Sequence, residues 1–178
     1  MKLRIAALAL LAMTTYAAAM EFRSSYLRFE LPDGWTCRLE VTEFVCSPPL
    51  AAGEKASSIM IFTAKEEGPD DSFTEYRKHL ESEGEKRGPG GVIKPPTIMR
   101  IGDTLWIDAT ISGSEIPNYY TRYLATVKNG IALLVTFSAH SSVFDQLSGQ
   151  AALAIHTARI LDDWRKTTGV DRQSATGP

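Results

Sequence analysis

The stretch from Tyr119 to Ala139 constrains the fold of this chain more than any other. Two runs of strand-forming residues are joined there by Asn129-Gly130, a dipeptide that suits the two positive-φ positions of a type I′ hairpin turn. A turn centred on this dipeptide places Val127 opposite Ala132. The run 131–135 is apolar without alternation, which is typical of a central strand covered on both faces. We therefore expect a layer of structure on each side of this hairpin.

The first nineteen residues have the pattern of a signal peptide. Lys2 and Arg4 precede an apolar stretch over 5–13, and Ala17-Ala18-Ala19 provides small residues for cleavage. We expect cleavage after Ala19 and a periplasmic or secreted mature chain that begins at Met20. An uncleaved membrane anchor is the alternative, but the apolar stretch is shorter than the roughly 18 to 20 residues that span a bilayer. No later segment is long and apolar enough to span one, so we expect a soluble exported protein.

Removal of 19 of the 178 residues leaves 159, which is the usual size of one domain. We expect this domain to cover 20–161 and a polar flexible tail to cover 162–178. The formal charge of the chain is -2, and loss of Lys2 and Arg4 changes it to -4. Binding of nucleic acid or of anionic lipid requires a basic patch. The charge therefore argues against both as partners.

Cys37 and Cys46 are the two cysteines of the chain, and both lie in the part predicted to be exported. A pair of cysteines in an oxidising compartment favours a disulfide. We expect it to close a short hairpin near its open end and to contribute roughly 2 to 3 kcal/mol through loop entropy. Two reduced buried thiols are the alternative. A redox-active pair is less favoured, because catalytic thiols usually lie in a Cys-x-x-Cys motif.

Local patterns predict most of the other elements. Residues 26–31 alternate as a strand and end at the turn Pro32-Asp33-Gly34, and residues 58–64 are apolar on both faces, as in an interior strand. Ser72-Phe73-Thr74-Glu75 is a capping box that begins a helix. A further hairpin is expected around Gly102-Asp103.

Two further segments, 84–96 and the one after His140, are interpreted from their local sequence. Residues 84–96 contain four glycines and three prolines, which favours a flexible connector; a phosphate-binding loop would have to lead directly into a helix, whereas a strand follows here. After His140, the sequence Ser142-Val143-Phe144-Asp145 predicts a second helix that is capped by Ser142 and runs to about Leu161.

Few residues suggest catalysis or metal binding. His140 is followed by Ser141 and Ser142, but a hydrolase would also need a carboxylate that orients the histidine, so capping by Ser142 is the favoured interpretation. His79, His140 and His156 are too widely spaced for a His-x-x-x-His metal motif. We predict no catalytic residue, no metal and no cofactor.

The candidate binding residues are Tyr119, Tyr120, Arg122, Tyr123 and His140. Tyrosines that cluster around an arginine on a sheet can form an aromatic binding patch. Cross-strand packing is the alternative, because aromatic pairs stabilise sheets directly.

The run Phe29-Glu30-Leu31-Pro32-Asp33-Gly34-Trp35, with the order of elements after it, resembles the PsbP-like superfamily over about 26–161. This superfamily includes photosystem extrinsic proteins, a Ran-binding nuclear import factor and the DcrB-type bacterial periplasmic proteins. The resemblance implies an α+β fold in which an antiparallel β-sheet is flanked by helices, as an α/β/α sandwich. It also implies a binding or assembly role, although fold alone is a weak guide to function.

Three hypotheses of function follow. The first is an exported, soluble, non-enzymatic envelope accessory that binds a protein partner of the envelope or periplasm. The second is a small-molecule or lipid-binding module that uses the space between sheet and helix, with 119–123 or 84–96 at its mouth. The third and least favoured is a hydrolase that uses His140.

Overall fold

The computed structural model describes residues 20–49 and 56–168. The strands are β1 (Met20–Arg23), β2 (Leu27–Leu31), β3 (Thr36–Glu40), β4 (Glu43–Ser47), β5 (Ser58–Glu66), β6 (Val92–Ile101), β7 (Thr104–Ser112), β8 (Tyr119–Lys128), β9 (Ile131–His140) and β10 (Arg159–Ile160). The helices are α1 (Phe73–Lys86), α2 (Phe144–Thr157) and α3 (Trp164–Thr168). The predicted signal peptide, and the part of the predicted tail after 168, lie outside the described residues.

The strands form two antiparallel sheets. The main sheet has seven strands in the order β3-β4-β5-β9-β8-β7-β6, and a small sheet has the order β1-β2-β10. The β8–β9 hairpin lies within the main sheet, with Val127 opposite Ala132, as predicted. Asn129 and Gly130 have φ values of 54° and 76°, which are the positive values that a type I′ turn requires.

Each face of the main sheet is covered by a different layer. On one face, α2, α3 and the small sheet bury the larger core, to which β9 contributes Ile131, Leu133, Val135 and Phe137. On the other face, α1 packs on β6, β7 and β8 and buries a smaller cluster around Leu80 and Ile107. The prediction of a covered sheet in an α+β fold is therefore confirmed. None of the described helices is long and apolar enough to cross a membrane.

The predicted disulfide is present. Cys37 lies directly opposite Cys46 in the β3–β4 hairpin, and the two are bonded. The remaining pair beyond the bridge, Thr36 and Ser47, ends the hairpin. The bridge thus closes the open end of the hairpin, and β3 forms one edge of the main sheet.

The predicted connector over 84–96 is wrong in its bounds. Helix α1 continues to Lys86, and Gly84 lies buried within it. A Cβ atom at Gly84 would clash with Val92 Cγ2, so the glycine allows β6 to pack closely on the helix rather than ending it. Strand β6 accommodates its two prolines because it lies at an edge and shifts register between Lys94 and Thr97.

The C-terminal boundary also differs from the prediction. Helix α2 ends at Thr157, and Arg159–Ile160 then adds a third strand to the small sheet. Trp164, in the predicted polar tail, is only 2% exposed. Its indole Nε1 donates to the carbonyl of Asn129 at 2.9 Å, so α3 packs against the turn of the central hairpin.

Candidate functional site

The predicted tyrosine patch is divided between the two faces of the sheet. Successive residues of a strand point to opposite faces. Tyr123 belongs to the cluster under α1, whereas Tyr120 packs against the core on the other face. Tyr119 contacts the ring of His140, with centroids 5.7 Å apart. The four residues at 119, 120, 122 and 123 therefore do not form one patch, because alternation along β8 separates them.

Arg122 takes part in a buried ion cluster on the face opposite α1. Its Nε lies 2.8 Å from Oδ1 of Asp108, and its Nη2 lies 3.0 Å from Oδ2. Lys94 Nζ also contacts Oδ2 of Asp108. Burial raises the pKa of Asp108, but the hydrogen bonds from Arg122 and Lys94 outweigh burial and hold it below its ordinary value. The carboxylate is thus ionised and paired, and the cluster has a structural role.

A cavity of about 460 Å³ lies between α1 and strands β8 and β9. We call it the α1 groove. Its floor is apolar and consists of Leu80, Ala125 and Leu134. Three carboxylates line it, those of Asp70, Glu75 and Glu115; the remaining lining residues are Tyr76, His79, Tyr123 and Thr136. An apolar floor with a few polar groups at the rim is typical of a binding site.

Two tyrosines, the buried Tyr123 and the partly buried Tyr76, give the α1 groove its shape. The Tyr123 hydroxyl donates to Glu115 Oε1 at 2.6 Å and lies 2.9 Å from Ser114 Oγ, which ties the β7–β8 connection to the sheet. The Tyr76 hydroxyl donates to Asp71 Oδ1 at 2.8 Å at the start of α1. Burial and then the hydrogen bond to the neighbouring carboxylate raise the pKa of both tyrosines. Both therefore stay protonated at neutral pH and serve as hydrogen-bond donors, not as bases.

Asp71 fixes the start of α1 from inside the protein. It is 8% exposed and accepts hydrogen bonds from the Gly68 amide at 2.7 Å and from Tyr76, and Lys65 Nζ lies 2.9 Å away. Burial raises the pKa of Asp71, but the hydrogen bonds from Lys65, Gly68 and Tyr76 have the larger effect. The pKa therefore lies below its ordinary value. As predicted, Ser72 caps the helix by accepting from the Glu75 amide at 3.2 Å. These contacts hold one wall of the α1 groove in place.

The α1 groove continues along the sheet away from the helix. A second cavity of about 310 Å³ shares Glu115, Leu134 and Thr136 with it and reaches Ile59 and Ile61 on β5. Both isoleucines are only partly buried. This extension exists because α1, the helix that the described residues place on this face, packs on β6, β7 and β8 and has few contacts with β9 and β5.

His140 does not have the surroundings of a catalytic histidine. Its side chain is exposed, and Nδ1 lies 2.8 Å from Ser142 Oγ and accepts from the Ser142 amide at 3.3 Å. Within 20–49 and 56–168, no carboxylate is hydrogen-bonded to this histidine. The predicted capping role of Ser142 is also wrong, because the N-cap of α2 is Val143, which makes no side-chain capping bond. Ser142 bonds to His140 instead.

Sequence reasoning missed several residues of the site. Glu115 lies in a connection with no motif, and its role depends on contact with Tyr123. Asp71 is the second of two adjacent aspartates before the predicted helix, and its role depends on contact with Tyr76. Among the residues that the structure describes, no three histidine, cysteine or acidic side chains are grouped as metal ligands would be.

A main antiparallel sheet with helices packed on both faces, preceded by a short N-terminal strand pair, is the PsbP-like fold. The resemblance predicted from residues 29–35 is confirmed at the level of the fold by solved structures. No protein-family model matches the chain. No curated protein matches it either.

Three solved structures show the likeness. Cyanobacterial PsbP (CyanoP) from Synechocystis sp. PCC 6803 has a TM-score of 0.57 and 8% identity, with 86% of this chain and 99% of that chain covered. The protein Mog1 has a TM-score of 0.51 and 10% identity, covering 82% and 96%. A protein from Bacteroides thetaiotaomicron has a TM-score of 0.50 and 14% identity over 80% of this chain, which spans 48% of that protein. Identities this low show the fold alone.

Proposed function

We propose that this protein is a non-enzymatic binding module of the cell envelope, and that its α1 groove holds an extended segment of a protein partner. The observation that carries the proposal is the continuous apolar surface that runs from Leu80 of α1, across Leu134 of β9, to Ile61 of β5. An extended segment can place alternate side chains on such a surface.

The charge of the groove specifies the partner further. Asp70, Glu75 and Glu115 line the first cavity, and Glu43 lines the second. No lysine or arginine lines either cavity among the described residues. Electrostatic complementarity therefore favours a segment in which apolar residues are flanked by lysine or arginine. The hydroxyls of Tyr76 and Tyr123 donate to Asp71 and Glu115, so they hold the walls of the groove in place.

Export remains part of the proposal. The basic and apolar pattern of the first nineteen residues supports it, and so does the disulfide between Cys37 and Cys46, since disulfides persist in oxidising compartments. The DcrB-type periplasmic proteins remain the predicted relatives within the superfamily.

Site-specific photo-crosslinking in the protein's own cells tests the groove. A benzophenone amino acid in place of His79, which lines the groove, is compared with the same residue in place of Arg77, which is exposed and outside the lining. We expect a protein adduct from position 79 alone. Neutralisation by Glu75→Gln with Glu115→Gln should abolish it, whereas Glu81→Gln with Glu85→Gln, exposed on the same helix, should not. Equal adducts from both positions, or none, would refute the proposal.

A small-molecule or lipid ligand is the second candidate. The volume of about 460 Å³ falls in the range of roughly 300 to 1,000 Å³ that is usual for such sites. Native mass spectrometry of the purified protein distinguishes the two candidates. A bound species of low mass, displaced by a bulky substitution such as Ala125→Leu, would favour the ligand over the protein segment.

A further inference from the structure

Three arginines lie side by side on the outer face of the small sheet. Arg23 of β1 is directly opposite Arg28 of β2, and Arg159 of β10 is directly opposite Arg28 on its other side. Leu27 and Phe29, which flank Arg28, are buried, so the row points away from the core. Side chains in such opposed positions lie about 5 Å apart at Cβ, and like charges there are destabilising. We call these residues the arginine row.

One ion pair and two hydrogen bonds within the protein offset part of the repulsion between the arginines. Arg28 Nη1 lies 3.6 Å from Glu21 Oε2, and both side chains are about half exposed, at 51% and 53%. Arg159 Nη1 donates to two backbone carbonyls, those of His156 and Ala158, at 2.9 Å and 2.7 Å. Within the described ranges, neither Arg23 nor Arg159 forms an ion pair. Two of the three charges therefore have no carboxylate opposite them in this part of the chain.

The arginine row forms one wall of a cavity of about 560 Å³. The lining also includes Gly102 of the β6–β7 turn, against which the Arg159 guanidinium packs. The cavity lining also includes Lys128, Asp103, Asp162 and Asp163. Lys128 Nζ is paired with Asp103 at 2.7 Å, and Asp162 accepts from the Asn129 side chain. The lining thus carries four cations and three carboxylates, with the excess positive charge at the arginine row.

We propose that the arginine row binds a phosphate-bearing anion. Guanidinium groups present planar pairs of donors that match phosphate oxygens. A phosphate monoester carries about -1.5 to -2 at neutral pH, which corresponds to the two arginines without a carboxylate partner. The cavity has room for a phosphate and the group that bears it. A free phosphate ester and an anionic phospholipid headgroup share this chemistry, and a local site of this kind is compatible with a chain of negative net charge.

Thermal unfolding of the purified protein in increasing inorganic phosphate tests the site, with sodium chloride at matched ionic strength as reference. We expect phosphate-specific stabilisation of the native protein. Arg28→Gln and, separately, Arg23→Gln should each weaken the apparent affinity about tenfold or more, since each removes a charged hydrogen-bonding group. Arg38→Gln is the matched control, because Arg38 is 72% exposed on β3 and is paired with Glu40. Without phosphate, Arg28→Gln should be as stable as the native protein or more so.

A second arm distinguishes the source of the phosphate. Each protein is sedimented with phosphatidylcholine vesicles that contain or lack phosphatidic acid. Binding to phosphatidic acid vesicles alone, lost in Arg28→Gln and Arg23→Gln but kept in Arg38→Gln, would identify a lipid headgroup. A response to inorganic phosphate with the same order of variants would identify a soluble anion. No response in either arm, or the same response from all four proteins, would overturn the proposal.

Discussion

Arg122 holds Asp108 through two parallel hydrogen bonds, of 2.8 Å from Nε and 3.0 Å from Nη2, across adjacent strands β8 and β7. Asp108 is fully buried, while the Arg122 side chain is 21% exposed and the Lys94 side chain 46% exposed. The carboxylate therefore depends on its cations for solvation, whereas each cation retains contact with water. This asymmetry determines which substitution is costly.

Arg122→Met should destabilise the protein by about 3 kcal/mol, because it leaves a buried carboxylate with Lys94 as its remaining ionic partner. Lys94→Met should cost about 1 kcal/mol or less, since Lys94 is nearly half exposed and the bidentate pair persists. Urea denaturation at pH 7 measures both values. Equal costs for the two variants would contradict the assigned order.

Tyr123→Phe should lower the free energy of unfolding by about 1 kcal/mol, because it removes the hydrogen bond to Glu115. The change should also release the β7–β8 connection from the sheet and weaken crosslinking from position 79. Tyr119→Phe is the control, since the Tyr119 hydroxyl makes no hydrogen bond within the described residues. Hydrogen exchange of the amides over 112–118 measures the mobility of the β7–β8 connection. Unchanged exchange in Tyr123→Phe would show that the hydrogen bond to Glu115 does not hold this connection to the sheet.

The stabilising contribution of Asp71 should be lost in acid. Its pKa is lower in the folded protein than in the unfolded chain, where it is about 3.9. Its stabilisation is therefore fully present above about pH 4 and is lost as the pH falls through the folded pKa. We expect Asp71→Asn to cost about 2 kcal/mol at pH 7 and progressively less below pH 4. Thermal unfolding midpoints of the two proteins should converge in acid; a constant difference would exclude this linkage.

Reduction of the Cys37–Cys46 disulfide should cost about 2 to 3 kcal/mol through the entropy of the small closed loop. The double variant Cys37→Ser with Cys46→Ser should match the reduced protein. Since β3 is an edge strand, we expect exchange to increase first at β3 amides and not in β8 or β9. Uniform loss of protection across the main sheet would show that the bridge supports the whole fold.

Local sequence determined much of the framework. Asn129-Gly130 fixed the β8–β9 register because only a positive-φ pair closes that turn well, and Ser72 marked the start of α1 because its hydroxyl can accept a helix amide. The spacing of Cys37 and Cys46 predicted the hairpin that they bridge. The division of the tyrosine patch was also within reach, because side chains alternate along any strand.

The sites themselves were decided by the tertiary structure. The α1 groove exists because α1 packs on β6 to β8 and has few contacts with β9 and β5, and no local pattern states where a helix will lie on a sheet. The arginine row requires Arg159 to pair with Arg28 through a two-residue strand, too short to show a period of its own. Trp164 lies in a polar segment, and only its contact with Asn129 makes it part of the core. Periodicity, capping and turn chemistry act over a few neighbouring residues, whereas these features arise from contacts between residues far apart in the chain.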